Sequence, residues 1–368
     1  MSSFSITFFS LFDIPFWSVS LVTFLSFFLY YLFHSIYNSQ KCLNYFKVPN
    51  YKETIQKIHL KPTARLGGLV IYLGLLLFAQ LNSDSIPGLT YLRQILFSCI
   101  PLIIFTLPED IYFNVRPIFR FFGIILSSLV FLALNADPFP VIDIPWISSF
   151  LNNHVIATIF YLIGISAISN GTNIIDGSNG LAATTVFFSL IALFFASYYA
   201  QDIVLMSAIL PILWFLFIFI LVNYPNGYIF LGDLGAYFLG FIISIFCILF
   251  YGRHPNFPSW GALAILGYPM FEVFLSFIRK PLMKASPFRP DRYHLHLLLF
   301  DYLKRKNDLK RANWKVMLFL LPLLSLPLAV PIYLSNLSAL LILLGVSVLT
   351  YFIMYFFYLF MSFNPRIK

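Results

Sequence analysis

Continuous apolar segments, separated by short polar ones, run along nearly the whole chain. Each apolar segment has roughly 16 to 25 residues, about the length that an α-helix needs to cross the hydrocarbon core of a bilayer. The apolar residues are contiguous rather than alternating, so the pattern predicts spanning helices and excludes a transmembrane barrel. The predicted spans are 14–36, 67–81, 93–107, 121–135, 154–169, 181–200, 203–222, 234–251, 259–278, 315–334 and 338–361.

Composition supports an all-α, polytopic integral membrane protein of about eleven helices. Apolar residues make up 60% of the chain and charged residues only 10%, whereas soluble domains are about a quarter charged. The segment 14–36 lacks a basic region and a cleavage site, which predicts a retained helix rather than a signal peptide. The three cysteines are too dispersed for a disulfide framework or a metal cluster. We expect residues 1–368 to form a single membrane-embedded domain.

The basic residues predict the orientation. If the N-terminus is outside, all but two of the 23 Lys and Arg, namely Arg93 and Arg253, fall on cytoplasmic loops, in the C-terminal tail or at Lys315. The net charge of +9 then follows from topology and from attraction to anionic lipids, and it requires no nucleic-acid partner. Asp137, Asp143 and Asp202 lie in outer loops that look like plain connectors. The predicted cytoplasmic loops are 37–66, 108–120, 170–180, 223–233 and 279–314.

The first two cytoplasmic loops carry candidate phosphate-binding and acidic groups. Lys61 and Arg65 precede a glycine pair and are suitable partners for a phosphate, although basic residues before a span also act as topology signals. Glu109 and Asp110 are adjacent carboxylates whose repulsion a divalent cation or a proton would relieve. A solvated helix end is the alternative. Arg116 lies in the same loop.

The third and fourth loops suggest a metal site. Asn170, Asn173 and Asp176 recur every three residues and would share one face of a helix. Their oxygen atoms are ligands that Mg²⁺ prefers, together with waters and substrate phosphates. Asp233 opens a span, where free helix N–H groups favour anions; an N-cap role is the alternative.

The fifth loop adds Arg292, His294 and His296. Two His at positions i and i+2 do not form a helical metal pair, and beside arginines they fit a phosphate better than zinc. Carboxylates for Mg²⁺ with Arg and His for phosphates are the components of phosphoryl transfer on a diphosphate. The residues alone lead no further than this.

The loop residues, taken in order, resemble those of the polyprenyl-phosphate N-acetylhexosamine-1-phosphate transferases. These membrane enzymes transfer a sugar 1-phosphate from a UDP-sugar to a lipid phosphate and release UMP. The similarity covers roughly residues 61 to 298. The matching blocks are Lys61 to Gly68, Glu109-Asp110, Asn170 to Leu181, Phe230 to Gly240 and Pro290 to His296.

The resemblance implies a Mg²⁺-dependent transferase, with Mn²⁺ as an alternative metal, in the inner (plasma) membrane of a bacterial cell. Its substrates would be a UDP-sugar and undecaprenyl phosphate, and its product would initiate a cell-envelope glycan such as O-antigen. The implied site comprises catalytic Asp110, Glu109 and Asp176; metal ligands Asp233 and Asn173; and substrate-binding Lys61, Arg65, Arg116, Asn170, Asn179, Arg292, His294 and His296.

Three departures from the family pattern bear on these expectations. Glu109 stands where bacterial members usually have Asp, Asn179 where many have Asp, and Leu297 where a further His often follows. The alternatives are a lipid-phosphate or nucleotide-sugar transporter and a catalytically inactive scaffold. N-acetylglucosamine is the default sugar, with a 6-deoxy-N-acetylhexosamine as its rival. Direct attack by the lipid phosphate is favoured over a covalent enzyme intermediate, and a homodimer is left open.

Overall fold

The computed structural model describes residues 15–37, 63–82, 86–112, 115–135, 137–284 and 292–363. These residues form helices and connecting turns, and they contain no β-strand. The all-α fold is therefore confirmed. The helices are α1 Phe16–Tyr37, α2 Gly67–Asn82, α3 Pro87–Ser98, α4 Ile100–Tyr112, α5 Pro117–Leu134, α6 Pro145–Leu151, α7 His154–Ile175, α8 Leu181–Tyr199, α9 Ile203–Asn223, α10 Gly232–Arg253, α11 Trp260–Ile265, α12 Gly267–Leu282, α13 Leu295–Leu303, α14 Leu309–Leu324, a 3₁₀ helix Leu326–Tyr333 and α15 Leu337–Phe363.

Each predicted span coincides with helical structure. Among the described residues, eight helices are long and apolar enough to cross a membrane, or nine if the bent pair α3 and α4 counts as one span. The two remaining predicted spans are α2, which has 16 residues, and the broken pair α11 and α12. The chain is thus a multi-pass membrane protein, and the number eleven stays a prediction.

Some predicted spans are interrupted, for reasons that lie in local chemistry. The span 93–107 begins earlier, at Pro87, and bends by 55° between α3 and α4. Pro101 follows this bend and has no N–H to offer the carbonyl of Phe97. The span 315–334 begins as α14 and continues as the 3₁₀ helix, which contains Pro327 and Pro331.

Helix α10 forms the centre of the bundle. All its residues from Gly232 to Gly252 are buried, and it packs against α2, α4, α7 and α8. Glycines permit this close approach, as they commonly do between membrane helices. A Cβ on Gly68 would lie 2.1 Å from the Cα of Gly235, and one on Gly240 would lie 2.5 Å from the Cα of Ser169. These contacts bring α2 and α7 close to the first turns of α10.

The opposite end of the bundle is tied by charged side chains. Asp202 caps α9 and pairs with Arg253 at 3.3 Å and with His254 at 3.0 Å. Arg253 also lies 3.9 Å from Asp137. Asp143 accepts a hydrogen bond from the N–H of Ser259 at 2.8 Å. The acidic loops at this end are therefore not the plain connectors that the sequence predicted. Arg253, one of the two basic residues outside the predicted cytoplasmic segments, forms ion pairs with acidic residues of these loops.

Candidate active site

Two aspartates and two arginines meet where α10 begins. Asp233, in the first turn of α10, contacts the guanidinium groups of both Arg65 and Arg120, one on each carboxylate oxygen. The Nε of Arg65 also lies 3.4 Å from Oδ1 of Asp110. These four residues come from the segment before α2, from α4, from α5 and from α10. We call them the charged cluster.

Asp110 caps helix α10 from a different part of the chain. Its Oδ1 accepts a hydrogen bond from the N–H of Asp233 at 2.7 Å, and its Oδ2 accepts one from the N–H of Leu234 at 2.8 Å. A helix N-terminus has unpaired N–H groups and a positive dipole end, which a carboxylate stabilises. Gly232 has φ of +81°, and a Cβ there would lie 2.1 Å from the carbonyl oxygen of Arg65. The sequence analysis expected the N–H groups at the start of α10 to bind an anionic ligand or to be capped by Asp233. In the structure the carboxylate of Asp110 binds them instead.

Helix α7 delivers the amides and the third aspartate. The sequence placed Asn170 and Asn173 in a loop, which is wrong, because α7 continues through them and Asp176 is its C-cap. Their three-residue spacing therefore does lie on a helix, as the sequence hypothesis required. Burial raises the pKa of Asp176 well above its usual value; Arg65 opposes this shift and Asp110 adds to it. Asp176 is thus within electrostatic reach of the charged cluster.

The turn from α7 to α8, residues 176–180, contacts three parts of the site, and we call it the hub turn. The N–H of Asn179 donates to Oδ1 of Asn313 at 2.8 Å, and its Nδ2 donates to the carbonyl of Pro225 at 2.9 Å. Gly180 has φ of +75°, and its N–H donates to Oδ1 of Asn223 at 2.5 Å. The Oδ1 of Asn179 is buried without a hydrogen-bond partner in the described chain. Such an atom is typical of a group that a bound ligand completes.

The histidine block packs on the same turn. A Cβ on Gly177 would lie 2.5 Å from Nε2 of His296. The rings of His294 and His296 are nearly parallel, with centroids 6.0 Å apart, and both are buried. Burial lowers the pKa of His296 to about 4, against the opposing effect of Glu272. His296 is therefore neutral at physiological pH.

Other predicted residues are not in these contacts. Arg116 is an exposed residue that precedes α5, and Arg292 pairs with Asp301 on α13 at 2.9 Å. Glu109 accepts a hydrogen bond at 2.7 Å from a backbone N–H of the loop after α4. Lys61 lies outside the described residues. Catalytic, metal-binding and substrate-binding roles stay predictions for all the residues named.

Sequence reasoning missed three residues that the structure brings to the site: Arg120, Asn223 and Asn313. For Arg120 a signal existed. A proline at the first position of a helix marks its start, so Pro117 places Arg120 in the first turn of α5, beside α4. For the two asparagines we find no sequence signal, because their hydrogen bonds join distant segments.

The donor set fits Mg²⁺ by its chemistry. Among the described residues, no three His, Cys, Asp or Glu side chains form a metal cluster. Mg²⁺ does not require one, since it binds through one or two carboxylates with waters and substrate phosphates completing its shell. Asp176 and Asp233 offer carboxylates, and Asn170 and Asn173 on α7 offer amide oxygens beside Asp176. Mn²⁺ is suited to the same ligands.

Comparison with known proteins finds one family model that matches part of the chain. Residues 92–251 match the model of glycosyl transferase family 4. This match spans the charged residues of α4, α5 and α10 and the whole hub turn.

Three relatives are transferases by name, and two of those names include undecaprenyl phosphate. The chain is 27% identical over 255 residues to a probable undecaprenyl-phosphate N-acetylglucosaminyl 1-phosphate transferase of Bacillus subtilis, covering 67% of this chain and 68% of the relative. It is 27% identical over 271 residues to an undecaprenyl-phosphate alpha-N-acetylglucosaminyl 1-phosphate transferase of Thermotoga maritima, covering 72% and 75%. A phospho-N-acetylmuramoyl-pentapeptide-transferase of Dictyoglomus thermophilum is 29% identical over 191 residues, covering 50% and 58%.

Substitutions of Arg120 and Arg116 test which of the two arginines belongs to the site: the structure places Arg120 on Asp233, whereas the sequence analysis named Arg116. Arg120→Ala removes one of the two guanidinium groups on Asp233, so we expect kcat/KM to fall by about 10²-fold or more. Arg116→Ala removes an exposed side chain, and we expect a change of less than about threefold, as for most surface substitutions. Steady-state UMP release from a UDP-sugar gives both values. The reverse order of effects would restore Arg116 to the site.

Proposed function

We propose that this chain transfers a sugar 1-phosphate from a UDP-sugar to polyprenyl phosphate. A phosphate oxygen of the lipid attacks the β-phosphorus, the bond from that phosphorus to the oxygen bridging to the α-phosphorus breaks, and UMP leaves. The charged cluster carries the proposal: carboxylates and guanidinium groups meet at one end of an apolar helix bundle, beside the hub turn. The names of the relatives supply the substrate class.

The nucleotide sugar would occupy the space between the charged cluster and the hub turn. Asp233, Asp176 and Asn173 would hold Mg²⁺, which when bound neutralises the diphosphate. Arg65 and Arg120 point their guanidinium groups at Asp233, and we propose that they pair with phosphate oxygens once substrate is present, since Arg matches phosphate geometry. The unpartnered Oδ1 of Asn179 would accept a hydrogen bond from the nucleotide.

The lipid phosphate needs little help to become a nucleophile. The second pKa of a phosphate monoester is about 6, so it is mostly dianionic at neutral pH. The family resemblance implies a catalytic role for Asp110, for which activation of the lipid phosphate is the usual candidate, but both its oxygens already accept hydrogen bonds from backbone N–H groups. We therefore propose direct attack by the lipid phosphate without a protein base, with Asp110 fixing the start of α10 and the geometry of Asp233.

An apolar cavity offers room for part of the acceptor chain. Its volume is about 350 Å³, and it is lined by residues of α6, α7, α10 and α11, among them Ile168 and Tyr251. Ile168 precedes Asp176 by eight residues along α7, which at 1.5 Å per residue is about 12 Å. We propose that this cavity receives isoprene units, which links it to a lipid substrate.

We further propose that the charged cluster faces the cytoplasm of a bacterial cell, where UDP-sugars are made, with the N-terminus outside. The biased Lys and Arg distribution supports this orientation. The lipid-linked product would start a cell-envelope glycan such as O-antigen. Nothing among the described residues favours the transporter alternative, because the central helix α10 is buried from Gly232 to Gly252 and has no charged residue between Asp233 and Arg253.

A panel of UDP-sugars tests the proposal. We expect purified protein with Mg²⁺ and undecaprenyl phosphate to release UMP and form labelled lipid from UDP-N-acetylglucosamine, or else from a UDP-6-deoxy-N-acetylhexosamine. Reactions without lipid, or with EDTA in place of Mg²⁺, serve as controls. Failure of every UDP-N-acetylhexosamine to yield both products would refute the transferase. Uptake of a UDP-sugar into proteoliposomes without UMP release would instead support transport.

A further inference from the structure

Glu272 is a carboxylate buried in helix α12, and the proposed reaction gives it no role. Its side chain is 0% exposed, and in the part of the chain that the structure describes no Lys or Arg lies within ion-pair distance of it. Its oxygens instead face the start of α13: Oε2 lies 2.8 Å from Nδ1 of His294, and Oε1 accepts a hydrogen bond from the N–H of Leu295 at 2.9 Å. A buried charge is costly unless it is paired and hydrogen-bonded. The contacts with His294 and Leu295 therefore compensate for the burial of this carboxylate.

The contact determines how His294 presents its ring. An ionised carboxylate only accepts hydrogen bonds, so Nδ1 of His294 carries the hydrogen and donates it to Glu272. The nitrogen on the opposite side of the ring, Nε2, is then the one directed away from the carboxylate. The same carboxylate caps the first N–H of α13, so one side chain fixes both the ring and the helix that follows.

The contacts continue from this ring to the hub turn. The ring of His296 lies nearly parallel to that of His294, at an interplanar angle of 14°, and its Nε2 packs on Gly177. His296 is 1% exposed, yet its Nδ1 has no hydrogen-bond partner in the described chain. A buried nitrogen left unpaired costs free energy unless a ligand or water satisfies it. The two rings therefore connect Glu272 to the wall of the proposed nucleotide-sugar site.

We propose that Glu272 is a positioning residue for the transfer reaction: it holds the His294 and His296 pair against the hub turn, where the rings contact the diphosphate or the sugar. The inference rests on the proposed function. Glu272 itself is not proposed to touch substrate, because its two oxygens are engaged by Nδ1 of His294 and by the N–H of Leu295. Its effect on the rate comes from fixing the orientation and the hydrogen position of the ring, and small errors in orientation at a reacting centre lower rates strongly.

Glu272→Gln tests the role with little change of shape. The amide oxygen still accepts from the N–H of Leu295, but the NH₂ group donates toward His294 and moves the ring hydrogen to Nε2. We expect kcat per folded molecule to fall about 10- to 100-fold, as when an outer partner that orients a functional His is lost. A transition-state effect lowers kcat and kcat/KM alike. Ser276→Ala, a buried change one turn along α12, is the matched control and should keep the wild-type kcat.

Nitrogen NMR of ¹⁵N-histidine-labelled protein supplies a measurement that does not depend on turnover. We expect the wild-type His294 to carry its hydrogen on Nδ1 and the Glu272→Gln variant to carry it on Nε2, with a His294→Asn sample for assignment. A wild-type His294 protonated on Nε2 alone would overturn the proposal. So would wild-type kcat in Glu272→Gln. If that variant does not fold, Glu272→Asp keeps the charge on a side chain that is shorter by one methylene. A wild-type kcat in Glu272→Asp would also overturn the proposal.

Different results would refute the transferase function and the positioning role of Glu272. A wild-type protein that transfers no sugar phosphate at all refutes the proposed function, whatever the NMR spectrum shows. A wild-type protein that transfers normally while Glu272→Gln matches its kcat refutes only the positioning role.

Discussion

Replacing Asp233 with Asn is expected to lower kcat for UMP release by about 10³-fold, near the upper end of losses for one electrostatic group in an active site. The substitution keeps the shape of the side chain and removes its charge. Arg65 and Arg120 then lose their shared anion, and Mg²⁺ loses a proposed ligand. The N–H of residue 233 remains available to Asp110, so we expect the variant to fold. Steady-state assays at several Mg²⁺ concentrations measure the loss.

Asp202→Asn is the matched control at the opposite end of the bundle. It is the same chemical change, it also removes a carboxylate from an arginine pair, with Arg253 at 3.3 Å, and it too lies at a helix start. We expect its thermal stability to fall while kcat per folded molecule stays within about twofold, since effects of distant sites are largely independent. Equal losses of kcat in both variants would mean that Asp233 acts through the fold rather than at the site.

The sequence located the helices well because hydropathy is a local property. Each predicted span coincides with helical structure, and the extensions of α7 and α10 into predicted loops follow from polar residues that sit on helix ends. Asn170, Asn173 and Asp233 illustrate this. A hydropathy window ends a span at the first polar cluster. The helix itself ends only where the backbone hydrogen bonds between residues four apart end.

Some of the polar residues that the sequence singled out also lie together in the structure. Arg65, Asp110 and Asp233 meet in the structure, with Asp176 within electrostatic reach, although they come from four separate segments. The sequence could not show which atoms pair. The sequence analysis named Arg116 and not Arg120, and the start of α5 at Pro117 is what distinguishes their positions.

Long-range pairing decides the remaining differences. The cap on α10 comes from Asp110, 123 residues earlier in the chain. Periodicity and spacing report on neighbours within a few turns, so this contact has no sequence signature. The same limit explains why Asp110 was interpreted as a base rather than as a cap.

Asp110→Asn is the second substitution with a large expected effect, and it should reduce both activity and stability. An Asn offers one acceptor oxygen where the carboxylate has two, so its NH₂ group must face the N–H of Asp233 or of Leu234. A buried N–H left unpaired costs about 1–3 kcal/mol, and the attraction to Arg65 is lost as well. We therefore expect Tm to fall by several degrees, about 2–4 °C per kcal/mol in larger domains.

The comparison of Tm with kcat distinguishes a cap from a base. If Asp110 were only the base that activates the lipid phosphate, the Asn variant would be inactive and as stable as the wild type. If it caps α10, loss of activity comes with a lower Tm, because the first turn of α10 carries Asp233. Glu109→Gln is the neighbouring control: its carboxylate binds one loop N–H and is partly exposed, so its Tm should change by less than that of Asp110→Asn. An inactive Asp110→Asn protein with the wild-type Tm would establish the base and remove the cap from the mechanism.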